Sequence, residues 1–298
     1  MKKSLIPLLL ALLATPALAD KLPVLASFSI LADLTREVGG ERVDVASLVG
    51  PDQDAHVFQP APQDVKKLAA AKVFVVNGLG FEGWLSRLSK SSGFKGQTVV
   101  ASQGVKAQDM AEEEHDHHGH NHGHADPHAW HNPQNVKLYV NNIRAALTQA
   151  DPAGKDYYSQ RASQYSQQLD ALDADARQRF AAIPASQRKV LTSHDAFGYL
   201  AQRYQIRFLS PQGVSTDAEA SAKTVAKLVR QVKAEKIRAV FVENMSDKRL
   251  LEQLSREAGV QVGGKLYADA LSPANGPAPS YLKLFSHNVN SLSAAMKP

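Results

Sequence analysis

The sequence predicts an α/β protein made of two lobes, each with a mostly parallel sheet flanked by helices. Short runs rich in Val, Leu and Phe alternate with amphipathic stretches in residues 22–102, and the same alternation returns from about residue 188 onward. Such alternation is typical of parallel strands that are joined by crossover helices. Between these regions, no Gly or Pro interrupts residues 155–183. This stretch predicts one long, rigid helix that connects the lobes.

The first lobe contains four runs with the composition of buried strands. They are LPVLASF (22–28), VDVASLVG (43–50), KVFVVNG (72–78) and QTVVAS (97–102), separated by amphipathic stretches such as 29–38 and 62–71. The segment NPQNVKLYVNNIRAALTQAD is predicted to be a helix that begins at Pro133 and has Asn132 as its N-cap, because proline is favoured at the first helical position. This helix closes the first lobe.

The second lobe repeats the pattern after the connecting helix. Its predicted strands are RKVLTSH, QIRFLSP and IRAVFVEN, and its predicted helices are DAEASAKTVAKLVRQVKAEK and SDKRLLEQLSREAG. A helical connector is stiff, so we expect less hinge motion than a flexible linker would allow. The predicted boundaries are a signal peptide at 1–19, an N-terminal lobe at 20–152 with a His-rich loop at 112–125, the connecting helix at 153–184, and a C-terminal lobe at 185–298.

The N-terminal segment has the pattern of a secretory signal. Lys2 and Lys3 precede an apolar run, and Ala17-Leu18-Ala19 matches an A-x-A cleavage site. A membrane anchor is the alternative, but the apolar run is shorter than the ~20 residues that a spanning helix needs. The chain has no Cys, and therefore no lipid-attachment cysteine, disulfide or thiolate metal ligand. We expect a soluble protein of the bacterial periplasm.

The charge distribution argues against a nucleic-acid partner. The formal net charge of the whole chain is +5, and it falls to +3 without Lys2 and Lys3. The remaining charges are interspersed along helical stretches and are not clustered with aromatic residues. This pattern is typical of a solvated surface.

Histidines are concentrated in one part of the chain, since eight of the eleven lie in residues 112–133. The segment HDHHGHNHGH (115–124) is of low complexity and has too little apolar surface to hold a fixed geometry. The following segment DPHAWHNP belongs to the folded framework. We interpret the first segment as an auxiliary collector of zinc, with a dispensable insertion as the alternative.

Four side chains are candidate metal ligands because each lies in a loop that follows an apolar run. They are His56 in PDQDAHVFQP, His128 in DPHAWHNP, His194 at the end of KVLTSH, and Asp269 in GGKLYADALSP. In open α/β sheets such loops line the crevice at the carboxyl edge, so a site shared between the lobes is expected. Each residue alone has a simpler role: a loop histidine is commonly a surface residue, and Asp269 could cap a helix. The four together favour a metal site.

Five motifs also resemble a known family. The segments PDQDAHVFQP, DPHAWHNP, TSHDAFGYLAQRY, AVFVEN and YADALS, in this order, resemble the zinc-receptor branch of the cluster A-I metal-binding solute receptors of ATP-binding cassette (ABC) importers. The resemblance implies two α/β lobes bridged by one long helix and a single metal ion between them, held by His56, His128, His194 and Asp269. It implies the importer's membrane permease as the partner, with a periplasmic zinc chaperone as a further candidate, and a monomeric protein.

The donor set favours Zn²⁺ as the metal. Three imidazoles and one carboxylate suit a borderline cation with a tetrahedral preference, whereas manganese receptors of the family typically carry Glu where this chain has His194. The general affinity order of divalent metals leaves copper and nickel open as competitors.

Two further residues near the predicted site have more than one interpretation. His131 follows His128 by three residues, but Pro133 places the helix start after both, so we expect His131 at the rim of the cleft, where it could be a weak ligand for incoming metal. Glu243 could accept a hydrogen bond from a ligand imidazole or could cap the next helix.

Other functions could use the same residues. A secreted zinc hydrolase would need an open coordination position and a general base, but the chain has no HExxH motif and Asp269 would close the coordination sphere. No enzymatic activity is therefore expected. A manganese or other divalent-metal receptor, or a periplasmic metallochaperone or adhesin-like binding protein, would use the same site.

Overall fold

The computed structural model describes residues 20–108 and 125–297. The predicted signal peptide and residues 112–124 of the predicted His-rich loop lie outside this part of the chain. The structure confirms the predicted fold class, because the described residues form two four-stranded sheets in which every strand pair is parallel. None of the helices within the described ranges is long and apolar enough to span a bilayer.

The first lobe has a sheet of order β2-β1-β3-β4. Its strands are β1 (Leu22–Phe28), β2 (Val43–Val49), β3 (Val73–Val76) and β4 (Gln97–Val100), and its helices are α1 (Ser29–Gly39), α2 (Pro62–Ala70), α3 (Leu85–Ser92) and α4 (Pro133–Ala150). The predicted start of α4 is confirmed, since the Asn132 side chain accepts a hydrogen bond of 3.0 Å from the backbone N–H of Gln134. The order of the strands reverses between β1 and β3, which opens a crevice at their carboxyl ends.

The second lobe repeats this order as β6-β5-β7-β8. Its strands are β5 (Lys189–Leu191), β6 (Arg207–Leu209), β7 (Ala239–Glu243) and β8 (Gly264–Leu266), and its helices are α6 (Gly198–Tyr204), α7 (Ala222–Ala234), α8 (Lys248–Ala258) and α9 (Tyr281–Ala295). The carboxyl ends of both sheets carry the loops that contain the candidate ligands.

The long helix α5 (Lys155–Ala181) has 27 residues and is therefore about 40 Å long. Its buried residues recur at three- and four-residue intervals and include Tyr158, Tyr165 and Phe180, which is the pattern of a helix with one face in a core. This face joins a hydrophobic core that extends from the first sheet to α9. A second, smaller core lies around α7 and α8.

The observed strand β5 is shorter than the predicted one. KVLTSH was expected to be a strand up to His194, but β5 ends at Leu191. The backbone N–H groups of Ser193 and His194 donate to the Glu243 carboxylate at 2.9 and 3.0 Å instead of to a neighbouring strand. The chain thus leaves the sheet at this point, and the turn presents His194 to the crevice.

Candidate metal centre

The structure brings together the four side chains that the sequence analysis named as candidate ligands. One ring nitrogen from each of His56, His128 and His194 and a carboxylate oxygen of Asp269 all lie within 4.8 Å of one another. In chain order these residues follow β2, β4, β5 and β8. The site therefore lies between the lobes, because each lobe contributes two of the four side chains.

The separations between these atoms suit one small cation. The His56 Nε2 atom lies 3.2 Å from His128 Nε2 and 3.3 Å from Asp269 Oδ2. Asp269 also lies 3.2 Å from His194 Nε2 and 3.6 Å from His128 Nε2. The edge of a tetrahedron with metal–ligand bonds of about 2.0–2.1 Å is about 3.3–3.4 Å. A proton on one of the two facing Nε2 atoms of His56 and His128, or a cation between them, avoids repulsion between their lone pairs.

The burial and charge of the four side chains fit a bound cation. His128, His194 and Asp269 are fully buried, and His56 is the one partly exposed member of the group. Burial alone would raise the pKa of Asp269, but the charges of His194 and His128 outweigh it and hold this pKa well below its usual range. Neither carboxylate oxygen of Asp269 accepts a well-aligned hydrogen bond. A bound metal ion would satisfy these buried lone pairs.

The His128 ring is oriented by a carboxylate that the sequence analysis missed. Asp126 Oδ1 lies 2.8 Å from His128 Nδ1 and also accepts from the backbone N–H of His128 at 2.9 Å. With a metal ion bound at Nε2, the Nδ1 atom would keep the proton of the ring and donate it to Asp126, which fixes the orientation of the ring. Asn77, at the end of β3, donates to the carbonyl of Pro127 at 2.9 Å and fixes the same segment. The Asp in DPH, two residues before the ligand histidine, was the available signal.

Glu243 forms a hydrogen bond with the His194 ring and does not cap the next helix. This decides between the two roles that the sequence allowed for Glu243. The carboxylate Oε2 forms a short hydrogen bond with His194 Nδ1 while Oε1 accepts from the backbone. The next helix, α8, is capped by Asp247, whose side chain accepts from the Arg249 N–H at 2.9 Å. Burial lowers the pKa of the His194 ring, but the charges of Glu243 and Asp269 outweigh this effect and raise the pKa well above its usual value.

Asp269 is held by backbone contacts with the first lobe. The carbonyl of Ala268 accepts from Trp130 Nε1 at 3.0 Å, and the N–H of Leu271 donates to Ser29 Oγ at 3.0 Å. The alternative role of Asp269 as a helix cap is not observed, since the next helix, α9, begins at Tyr281 and is capped by Ser280. The Asp269 carboxylate is thus directed into the centre.

The predicted position of His131 at the rim of the cleft is wrong. The residue ends a short 3-10 turn, Ala129–His131, which folds its ring inward, and the side chain is fully buried. The ring packs against Phe197 with a centroid separation of 4.6 Å. Burial, with a smaller contribution from the charge of His128, lowers the pKa of His131 to about 3, so the ring is neutral. His131 is not a member of the four-residue group.

Sequence comparisons identify a family and several relatives of this chain. The family model ZnuA, described as zinc-uptake complex component A, periplasmic, matches residues 24–295. The chain is 32% identical to the iron-binding protein YfeA of Yersinia pestis over 291 residues, which are 95% of this chain and 91% of YfeA. It is 28% identical to the manganese ABC transporter substrate-binding lipoprotein PsaA of Streptococcus pneumoniae, over 93% of this chain and 90% of PsaA.

A solved structure has the same fold as this chain. The periplasmic zinc-binding protein TroA from Treponema pallidum matches with a TM-score of 0.86 and 28% identity, covering 93% of this chain and 100% of the TroA chain. The resemblance to the cluster A-I metal-binding receptors that the five sequence motifs indicated is confirmed. From its sequence match and its fold, the chain belongs to the ZnuA family of metal-binding periplasmic substrate-binding proteins of ABC importers.

Proposed function

We propose that this protein is a periplasmic Zn²⁺ receptor that captures the ion between its lobes and delivers it to the permease of an ABC importer. The proposal is carried by the donor set of the centre, in which three imidazole nitrogens and one carboxylate oxygen converge within 4.8 Å. In this proposal Zn²⁺ is the cargo, and His56, His128, His194 and Asp269 are its ligands. The protein acts as a monomer and catalyses no reaction.

The choice of Zn²⁺ rests on ligand chemistry, because the relatives are named for different metals. YfeA is named for iron, PsaA for manganese and TroA for zinc. A site with three nitrogen donors favours zinc over manganese, which prefers oxygen donors. A manganese or iron receptor is the second candidate, and the names of these relatives support it. A metallochaperone would use the same centre but would act without a permease.

A competition titration tests the metal. The mature protein, freed of metal with a chelator, would be titrated with Zn²⁺, Mn²⁺ and Fe²⁺ under anaerobic conditions. We expect one tight Zn²⁺ per molecule and an affinity for Mn²⁺ that is lower by at least about a hundredfold. Equal or tighter Mn²⁺ binding would overturn the zinc assignment. Zinc uptake by vesicles that contain the cognate permease would separate a receptor from a metallochaperone.

The carboxylates behind the ligand histidines should contribute to affinity without contacting the ion. Replacing Glu243 with Gln removes the charge that stabilises the His194 N–H, and Asp126→Asn does the same for His128. We expect each change to lower zinc affinity about 10- to 100-fold, while circular dichroism shows an intact fold. The same competition titration measures this effect. An affinity within twofold of wild type in both variants would show that these carboxylates do not tune the ligands.

The segment HDHHGHNHGH, residues 115–124, should be an auxiliary collector of zinc. The composition of the segment, with Gly and no apolar side chains, predicts low affinity, because holding an ion would cost conformational entropy. We expect deletion of residues 115–124 to leave one tight zinc with nearly unchanged affinity, to remove weaker sites and to slow loading when free zinc is scarce.

Calorimetry and stopped-flow loading of the deletion variant and the wild type would measure these effects. Loss of the tight site would make the segment a primary source of ligands. An unchanged stoichiometry and loading rate would favour the dispensable insertion.

A further inference from the structure

Hydrogen bonds and one short stretch of backbone connect the loops of two candidate ligands from opposite lobes without passing through the centre. This path begins at Asp54, in the loop between β2 and α2, whose Oδ1 atom accepts from the backbone N–H of His56 at 2.9 Å. The second oxygen of the same carboxylate, Oδ2, accepts from the hydroxyl of Thr216 at 2.6 Å. Thr216 belongs to the second lobe, in the loop between β6 and α7. One carboxylate thus joins a ligand of the first lobe to a loop of the second.

The Thr216 loop is in turn attached to both sides of the other ligand. The backbone carbonyl of Gly213 accepts from the N–H of Asp195 at 3.1 Å, and the N–H of Gln212 donates to the carbonyl of Ser193 at 3.4 Å. These two bonds flank His194 in the sequence. If the Thr216 loop moved away from the first lobe, these two bonds would transmit the movement to the turn that carries His194.

The path runs beside His56, the least buried of the four candidate ligands. The His56 side chain is itself only 5% exposed, so the centre stays covered on this side while the His56 loop keeps its position. Asp54 and Thr216 are half-buried and line a surface cavity of about 500 Å³ between the lobes. On the same side, Asp52 Oδ1 accepts from the Asn244 side chain at 2.8 Å. These contacts hold the two lobes together beside the His56 loop.

We infer that the hydrogen bond between Thr216 and Asp54, here called the clasp, positions His56 against His194 and slows the release of the bound ion. The inference rests on the proposed function, since it describes how the same centre holds its metal. Thr216 acts through Asp54 and does not contact the ion, so it is a positioning residue. Opening the clasp removes one of the contacts that hold the His56 loop against the second lobe, the one nearest to His56 in the sequence. It should affect the dissociation of the metal more than its association.

Thr216→Val tests the clasp, because valine has the shape of threonine and lacks the donor. Zn²⁺ dissociation would be measured by stopped-flow transfer from the loaded, mature protein to an excess of a chelating dye. We expect the dissociation rate to rise about tenfold, which corresponds to about 1.4 kcal/mol, while the association rate stays within about threefold. Thr216→Ser keeps the hydroxyl and is the matched control, with a dissociation rate within about twofold of wild type.

A double-mutant cycle with Asp54→Ala separates the clasp from general damage to the loop. In the Asp54→Ala background, Thr216→Val should have no additional effect, because the acceptor is already absent. An additive effect would overturn the inference, as would a dissociation rate in Thr216→Val within twofold of wild type, or equal rates in the Val and Ser variants. Failure of the wild type to bind Zn²⁺ tightly would instead contradict the proposed function, so the two failures are distinguishable.

Discussion

Replacing His194 with alanine should lower the affinity for zinc by far more than the loss of one supporting contact, by at least about a hundredfold. The change removes a nitrogen ligand, and it also leaves Glu243 and Asp269 as buried carboxylates without the ring that now lies between them. Alanine at His56, His128 or Asp269 should have an effect of the same order, because each supplies one of the four converging atoms. Competition against a chelator of known affinity measures the effect.

His131→Ala is the matched control for the ligand substitutions. His131 is as deeply buried as His128 and lies three residues away, but its ring stands outside the group of four. We expect a loss of affinity below about tenfold, caused by imperfect packing around Trp130 and Phe197. If His131→Ala abolished tight binding while His128→Ala did not, the assignment of the ligand within DPHAWH would be wrong.

Zinc affinity should fall steeply with pH, by about a hundredfold or more between pH 7 and pH 5. In the metal-free protein the charges of Glu243 and Asp269 raise the pKa of His194 well above its usual value, so the ring keeps its proton to a higher pH than a free imidazole does. The ion must displace this proton, and each displaced proton costs about tenfold in affinity per pH unit. Imidazoles that bind protons below about pH 6.5 add to the loss. Zinc affinity therefore falls as the pH falls, because acid favours the protonated, metal-free centre.

Calorimetry in two buffers with different ionisation enthalpies would measure the number of protons released. We expect about one proton per zinc at pH 7, and more at pH 5.5. The Glu243→Gln variant is the control: it removes one of the two charges that hold the proton on His194, so it should release fewer protons at pH 7. An affinity that is flat from pH 7 to pH 5 would argue against a centre dominated by histidine.

Local sequence patterns are sufficient to predict the architecture of the protein. The parallel strands and the helix α5 follow from apolar periodicity and from the absence of Gly and Pro, which act over a few neighbouring residues. The cap at Asn132 is likewise a local interaction with the N–H of Gln134. The candidate ligands were also found locally, since each follows an apolar run and the carboxyl ends of parallel strands share one edge of a sheet.

The order of residues along the chain is enough to show which residue types stand at the ends of the strands, and hence that His56, His128, His194 and Asp269 could share an ion. How these side chains are supported depends on the packing of the folded chain. Glu243 reaches His194 across 49 residues of sequence, and Thr216 reaches Asp54 across 162. Such pairs depend on how the two lobes pack, which no local preference encodes. The inward position of His131 could not be predicted for the same reason. Its ring packs against Phe197, which belongs to the other lobe.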